Sequence, residues 1–143
     1  MQETAIERHE VLLIDDYIEI TKMLADFIDM TAPKLQGVSL DPKDLPVEKL
    51  VAQINAHHNA VAAILDGELW GYTAVELISA LNEINTRLVL VLFTGSPEVL
   101  KAVRETHPEI PAFLKNDPST SVSDIIGEIK AGIEKNAARQ KAA

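Results

Sequence analysis

The chain has no cysteine, few aromatic residues (4%), a deficit of basic charge, and no long apolar run. Without thiols there is no disulfide framework and no thiolate metal site, which is compatible with a reducing compartment. No apolar stretch reaches the roughly 18 residues needed to span a bilayer, and Met1-Gln2-Glu3-Thr4 has neither the basic flank nor the apolar core of a signal segment. A cytoplasmic location with no membrane attachment is therefore expected. Thirteen Lys and Arg stand against 22 Asp and Glu, a formal net charge of -9. That balance disfavours nucleic-acid backbones and anionic lipid, because non-specific phosphate binding rests on Lys and Arg. Protein and metal partners fit it better.

What is present is a chain of 143 residues, 47% hydrophobic and 24% charged, the size and composition of one ordinary globular domain. Four short apolar runs each end in polar residues. Val11-Leu12-Leu13-Ile14 runs into Asp15-Asp16, Ala60 to Leu65 into Asp66, Leu88 to Phe93 into Thr94, and Ile110 to Leu114 into Lys115. Short, continuous runs rich in Val, Leu and Ile suit parallel strands buried on both faces.

Between the runs the apolar period becomes helical. Ile20, Met23, Leu24, Phe27 and Met30 form one expected core-facing stripe, and Val47, Leu50, Val51 and Ile54 a second. Thr73-Ala74-Val75-Glu76 has the form of a capping box, followed by Leu77, Ile78, Leu81 and Ile84. Ser96-Pro97-Glu98 marks another helix start, with serine as N-cap and proline at the first helical position. Val122, Ile125, Ile126, Ile129 and Ile133 carry the last helix, weakened by Gly127 and Gly132, with fraying expected from Asn136 to Ala143.

Gln36 to Leu40 reads as a short edge strand, and Pro111, unable to donate to a ladder, puts the fifth run at an edge. The expectation is one domain with a core of about residues 10 to 135. It is an α/β, doubly wound, five-stranded parallel sheet of order 2-1-3-4-5 with helices on both faces. No residues are left over for a separate output domain, so a stand-alone module is expected.

In such a sheet Asp15, Asp16, Asp66, Thr94 and Lys115 collect at the carboxyl edge, where ligands bind at the point at which strand order reverses. Three close carboxylates repel one another unless a cation offsets them. Magnesium suits the set, because it takes few carboxylates and completes its shell with water and phosphate oxygens. Lys115 then supplies positive charge and Thr94 a hydroxyl donor to a phosphoryl group. Taken singly, Asp15 or Asp66 could be only a helix N-cap, Lys115 a solvated surface lysine, and Thr94 a strand-end turn former. His57 and His58, adjacent in sequence, read as an exposed helix end rather than a metal site.

The five fragments in order resemble the receiver domain of two-component response regulators, of the single-domain, chemotaxis-regulator-like kind. Residues 10 to 135 are covered, through Val11-Leu12-Leu13-Ile14-Asp15-Asp16, Ile64-Leu65-Asp66-Gly67-Glu68-Leu69, Phe93-Thr94-Gly95 and Phe113-Leu114-Lys115. The resemblance implies a flavodoxin-like fold and a phosphorelay role in signal transduction. Asp66 accepts a phosphoryl group from a phosphohistidine on a sensor histidine kinase or histidine phosphotransfer protein, and the change alters binding to a downstream protein target. Asp16, Asp66 and the main-chain carbonyl of Glu68 would hold Mg2+, with Asp15 assisting, partly through water. By this resemblance the domain would be a signalling phosphoprotein rather than a turnover enzyme, with its own phosphorylation and dephosphorylation as the chemistry it could catalyse.

Three positions depart from the family pattern. Asn116 follows Lys115 where proline is usual, Trp70 stands where proline is common, and Ala112 occupies the place of the switch aromatic. Phe113, one residue later, should point to the opposite face. Two rival functions follow: a pseudo-receiver acting as a constitutive interaction surface, and a haloacid-dehalogenase-like phosphatase. The second needs Asp-x-Asp after the first strand, and this chain reads Asp15-Asp16-Tyr17.

Overall fold

In a computed structural model, which describes residues 8–84 and 87–142, the apolar runs become strands and the 3.6-residue stripes become helices. Met1-Gln2-Glu3-Thr4, read above for its lack of a signal, lies outside the described residues. The strands are β1 (His9–Ile14), β2 (Leu35–Leu40), β3 (Ala60–Leu65), β4 (Val89–Thr94) and β5 (Ala112–Leu114). They alternate with α1 (Ile18–Thr31), α2 (Val47–Ala56), α3 (Ala74–Ile84), α4 (Pro97–Thr106) and α5 (Val122–Ala142). All strand pairs are parallel and the order is β2-β1-β3-β4-β5, as the sequence leads one to expect.

Strand alternation splits the core into two layers. Leu12, Ile14, Ala63 and Leu65 face Leu50, Ile54, Leu77 and Leu81 of α2 and α3, with Val99 and Val103 of α4. Val11, Leu13, Ala62 and Ile64 face Leu24 and Ile28 of α1 and Ile125, Ile126 and Ile129 of α5. Burial on both faces is why the strands read as continuous apolar runs. Pro111 precedes β5, and its carbonyl accepts from Leu92 N–H at 2.9 Å, so the edge position uses the one ladder group proline retains.

The helix starts follow their caps. Glu76 Oε2 accepts from Thr73 N–H at 2.7 Å, and Ser96 Oγ accepts from Val99 N–H at 3.2 Å. Two expectations change. Helix α1 is rotated, so that Thr21, Leu24 and Ile28 are buried while Met23 is 40% and Met30 81% exposed. Thr21 enters the core because its hydroxyl donates to Ile18 O at 3.0 Å, leaving no unpaired polar group. Ile84, expected on the core stripe of α3, is exposed at the helix end. Helix α5 spans Val122–Ala142, and its last stretch carries the strong helix formers Ala, Arg, Gln and Lys.

Candidate functional site

Strand β1 pairs with β2 on one side and β3 on the other, so the order reverses between β1 and β3. Both strands end there in carboxylates. Asp66 N–H donates to Ile14 O at 2.8 Å, extending the ladder by one residue and setting Asp66 beside Asp15. Asp15 is 7% exposed, and its Oδ1 accepts from Tyr17 N–H at 2.9 Å, a turn that fixes the carboxylate and starts α1. Asp16 is exposed. Carboxylate oxygens of Asp15, Asp16 and Asp66 lie within 4.8 Å of one another, the one such cluster among the described residues.

Lys115 spans the site from β5. Its Nζ donates to Asp15 Oδ2 at 2.6 Å and to Asp66 Oδ1 at 3.2 Å, and sits 5.9 Å from the Phe93 ring centroid. Lys115 N–H donates to Thr94 O at 2.8 Å, which locks the ends of β4 and β5 together. Asp66 Oδ1 also accepts from Gly67 N–H at 2.8 Å, while Oδ2 has no hydrogen bond among the described residues. Oδ2 is thus the less encumbered of the two oxygens.

The electrostatics follow from this packing. Burial first, and the charge of Asp15 second, push the Asp66 carboxyl above its ordinary 3.8, against the opposing pull of Lys115 and the Gly67 N–H. For Lys115, burial favours the neutral amine, but the hydrogen bond to Asp15 and the charges of Asp66 and Asp15 outweigh it and hold the ammonium above its usual range. One cation shared by a buried and a half-buried carboxylate leaves the site short of positive charge, which suits a hard divalent ion with oxygen ligands.

Thr94 is 1% exposed, and its Oγ1 accepts from Ser96 N–H at 3.0 Å, joining the strand end to the start of α4. Glu68 begins a small hairpin: Ala74 N–H donates to Gly67 O and Leu69 N–H to Tyr72 O, both at 2.9 Å. Those bonds flank Glu68 and do not use its carbonyl. Trp70 and Gly71 form the hairpin tip, where Gly71 takes φ 83° and Trp70 is 55% exposed. Tyr72 braces the hairpin, its hydroxyl donating to Leu45 O at 3.1 Å.

No protein-family model and no curated protein matches the chain. Among solved structures it is similar to a response regulator receiver domain protein from Clostridium thermocellum, with a TM-score of 0.71 and 11% identity over 91% of this chain and 98% of that one. It is also similar to the signal receiver domain of a LuxO repressor protein from Vibrio parahaemolyticus, at TM-score 0.71 and 12% identity over 94% and 97% of the two chains. The fold is that of a response regulator receiver. A third structure similar in shape, response regulator protein TrrA from Thermotoga maritima, was solved in complex with Mg2+ and BeF. It matches at TM-score 0.64 and 13% identity, over 87% of this chain and 98% of that one.

Within this receiver fold all five residues singled out from the sequence stand at one edge, with Lys115 in direct contact with two of them. The departures have structural answers. Where proline is missing after Lys115, Asp117 shapes the loop, its Oδ1 accepting from Ser119 N–H at 2.9 Å and from Ser119 Oγ at 2.7 Å. Ala112 and Phe113 face opposite layers, as alternation requires. A hollow of about 280 Å3 opens beside Ala112, lined by Leu100, Arg104 and Leu114 among others.

Two further features escape a reading of the sequence. His57, at the end of α2, has a partner on a strand: its Nδ1 lies 3.0 Å from Glu10 Oε1, linking the end of α2 to β1. A cleft of about 590 Å3 beside it, lined by His9, His58 and Arg87 among others, lies at the amino ends of the strands, away from the carboxylates. Gly67 is the other, and its position directly after Asp66 was the only available signal.

Proposed function

We propose that the chain is a phosphoacceptor signalling domain in which Asp66 takes a phosphoryl group from a phosphohistidine and thereby changes its binding to a protein partner. The observation that carries the reading is the shared ammonium, with Lys115 Nζ 2.6 Å from Asp15 Oδ2 and 3.2 Å from Asp66 Oδ1 at the point of strand-order reversal. Asp66 Oδ2 attacks phosphorus, an O–P bond forms, and the P–N bond breaks with its electron pair leaving on the imidazole. Lys115 follows the charge from carboxylate to phosphoryl oxygen, and the Thr94 hydroxyl donates to another. Asp15, Asp16, Asp66 and the Glu68 carbonyl are the oxygen donors that would hold Mg2+, which supplies positive charge opposite the phosphoryl oxygens.

The donor in this reading is a sensor histidine kinase or histidine phosphotransfer protein, the recipient of the signal is a downstream protein, and the compartment is the cytoplasm. No helix among the described residues is long and apolar enough to cross a membrane. The domain is a switch rather than a turnover enzyme. Ala112, with the hollow beside it, favours one rival, a pseudo-receiver that acts as a constitutive interaction surface.

Intact mass after incubation with acetyl phosphate and magnesium tests the proposal. A gain of one phosphoryl group that disappears in Asp66→Asn supports it. No gain in the parent chain leaves the pseudo-receiver, and steady hydrolysis of phosphate esters points to a phosphatase.

A further inference from the structure

Gly67, directly after Asp66, is buried, and its backbone is tied on both sides: N–H to Asp66 Oδ1 at 2.8 Å, carbonyl from Ala74 N–H at 2.9 Å. The space its side chain would fill is taken by Thr94. A Cβ on Gly67 would collide with Thr94 Oγ1 and stand 2.6 Å from Thr94 Cβ and 3.1 Å from Val99 Cγ1. Thr94 cannot move aside freely. Its Oγ1 holds the Ser96 N–H at 3.0 Å and its carbonyl the Lys115 N–H at 2.8 Å, so displacing it disturbs both the start of α4 and the end of β5.

We infer that Gly67 is a positioning residue whose missing side chain is the seat of the Thr94 hydroxyl. The seat holds that hydroxyl against the residue next to the phosphoacceptor, so it reaches a phosphoryl group on Asp66 by a short shift. Val99, the third residue of α4, closes the same seat, so α4 feels any change in Thr94 without an aromatic ring at position 112. This rests on the phosphoacceptor reading of Asp66 and adds to it a residue that sets where the switch hydroxyl sits.

The test uses the full chain and two titrations, magnesium alone and beryllofluoride in excess magnesium, for the parent, Gly67→Ala, Thr94→Gly and the double variant. In Gly67→Ala the mimic should bind at least about tenfold more weakly, the scale of losing one hydrogen bond to a charged group, with a smaller change for magnesium, whose ligands do not include Thr94. Thr94→Gly removes both Thr94 atoms that the new Cβ would meet and leaves only the Val99 contact at 3.1 Å, so adding Gly67→Ala to it should cost much less than in the parent. Unchanged mimic affinity in Gly67→Ala, equal losses for mimic and magnesium, or additive losses in the double variant would each overturn the inference. Should Gly67→Ala alone not fold, the double variant should, and its failure to do so is equally fatal. A parent chain that takes up no mimic sinks the phosphoacceptor reading itself, whereas a parent that binds and a Gly67→Ala variant that matches it sink only the seat.

Discussion

Replacing Asp66 by asparagine should make the metal-free chain more stable at neutral pH while removing the proposed phosphoacceptor. The Asp66 side chain is only 13% exposed, and an Asp15 carboxylate oxygen lies within 4.8 Å. At an effective dielectric constant of about 20 that repulsion is about 3.5 kcal/mol, against about 5 kcal/mol of attraction to Lys115. The raised Asp66 pKa means that burial and repulsion together exceed the attraction. Asparagine keeps an acceptor oxygen for Gly67 N–H and Lys115 Nζ and sheds both opposing costs. Solvent at the rim screens part of the difference, leaving a gain of about 1 kcal/mol.

The pH dependence has a definite sign. Because the folded state holds the Asp66 proton more tightly, protonation stabilises the parent fully below the ordinary value of 3.8, and this is lost as pH rises through the raised folded pKa. The advantage of Asp66→Asn should therefore be smallest at acid pH, open through that window and level off towards neutrality. If the site takes magnesium as proposed, an excess of it should reverse the order, since a ligand at 100 times its Kd adds about 2.7 kcal/mol to the parent. Urea unfolding followed by circular dichroism, with chelator and with magnesium across pH, measures all three. An Asn variant less stable than the parent at neutral pH in chelator, or a gap independent of pH, would refute the reasoning.

Further outcomes can be checked separately. Trp70, the only tryptophan, stands exposed at the tip of the hairpin that follows Asp66, so its fluorescence should respond to magnesium or beryllofluoride; a flat spectrum with binding proved calorimetrically would detach the hairpin from the site. Gly127→Ala should raise stability by about 0.5–1 kcal/mol, because nothing lies near the added methyl. Gly132→Ala should lower it by about 1–3 kcal/mol, since its Cβ would sit 2.6 Å from Val89 Cγ1; equal melting shifts would contradict the packing. Amide exchange with and without the mimic should change most in residues 95 to 106 and around Lys115-Asn116-Asp117, with little at Ala112. Changes confined to β5 would break the proposed route through Ser96 and Val99.

The order of the elements and the starts of α3 and α4 were legible in the sequence because they depend on local chemistry. Runs of Val, Leu and Ile specify buried parallel strands, Thr73-x-x-Glu76 and Ser96-Pro97 announce helix starts, and a strand that stops in aspartate puts that aspartate at the carboxyl edge. The five candidate site residues were legible for the same reason. Tertiary packing alone decided the rest. The phase of α1 about its axis, which buries Thr21 and Ile28 and exposes Met30, is set by what α1 packs against, not by the apolarity of its own residues. Lys115 meets Asp15 across 100 residues of chain, and Glu10 meets His57 across 47, distances over which no local pattern reports. Gly67 and Gly132 matter through the atoms of Thr94 and Val89 that fill their empty Cβ positions, whereas Gly127 faces open space. A sequence specifies which groups can meet; only close packing in three dimensions selects which of them do.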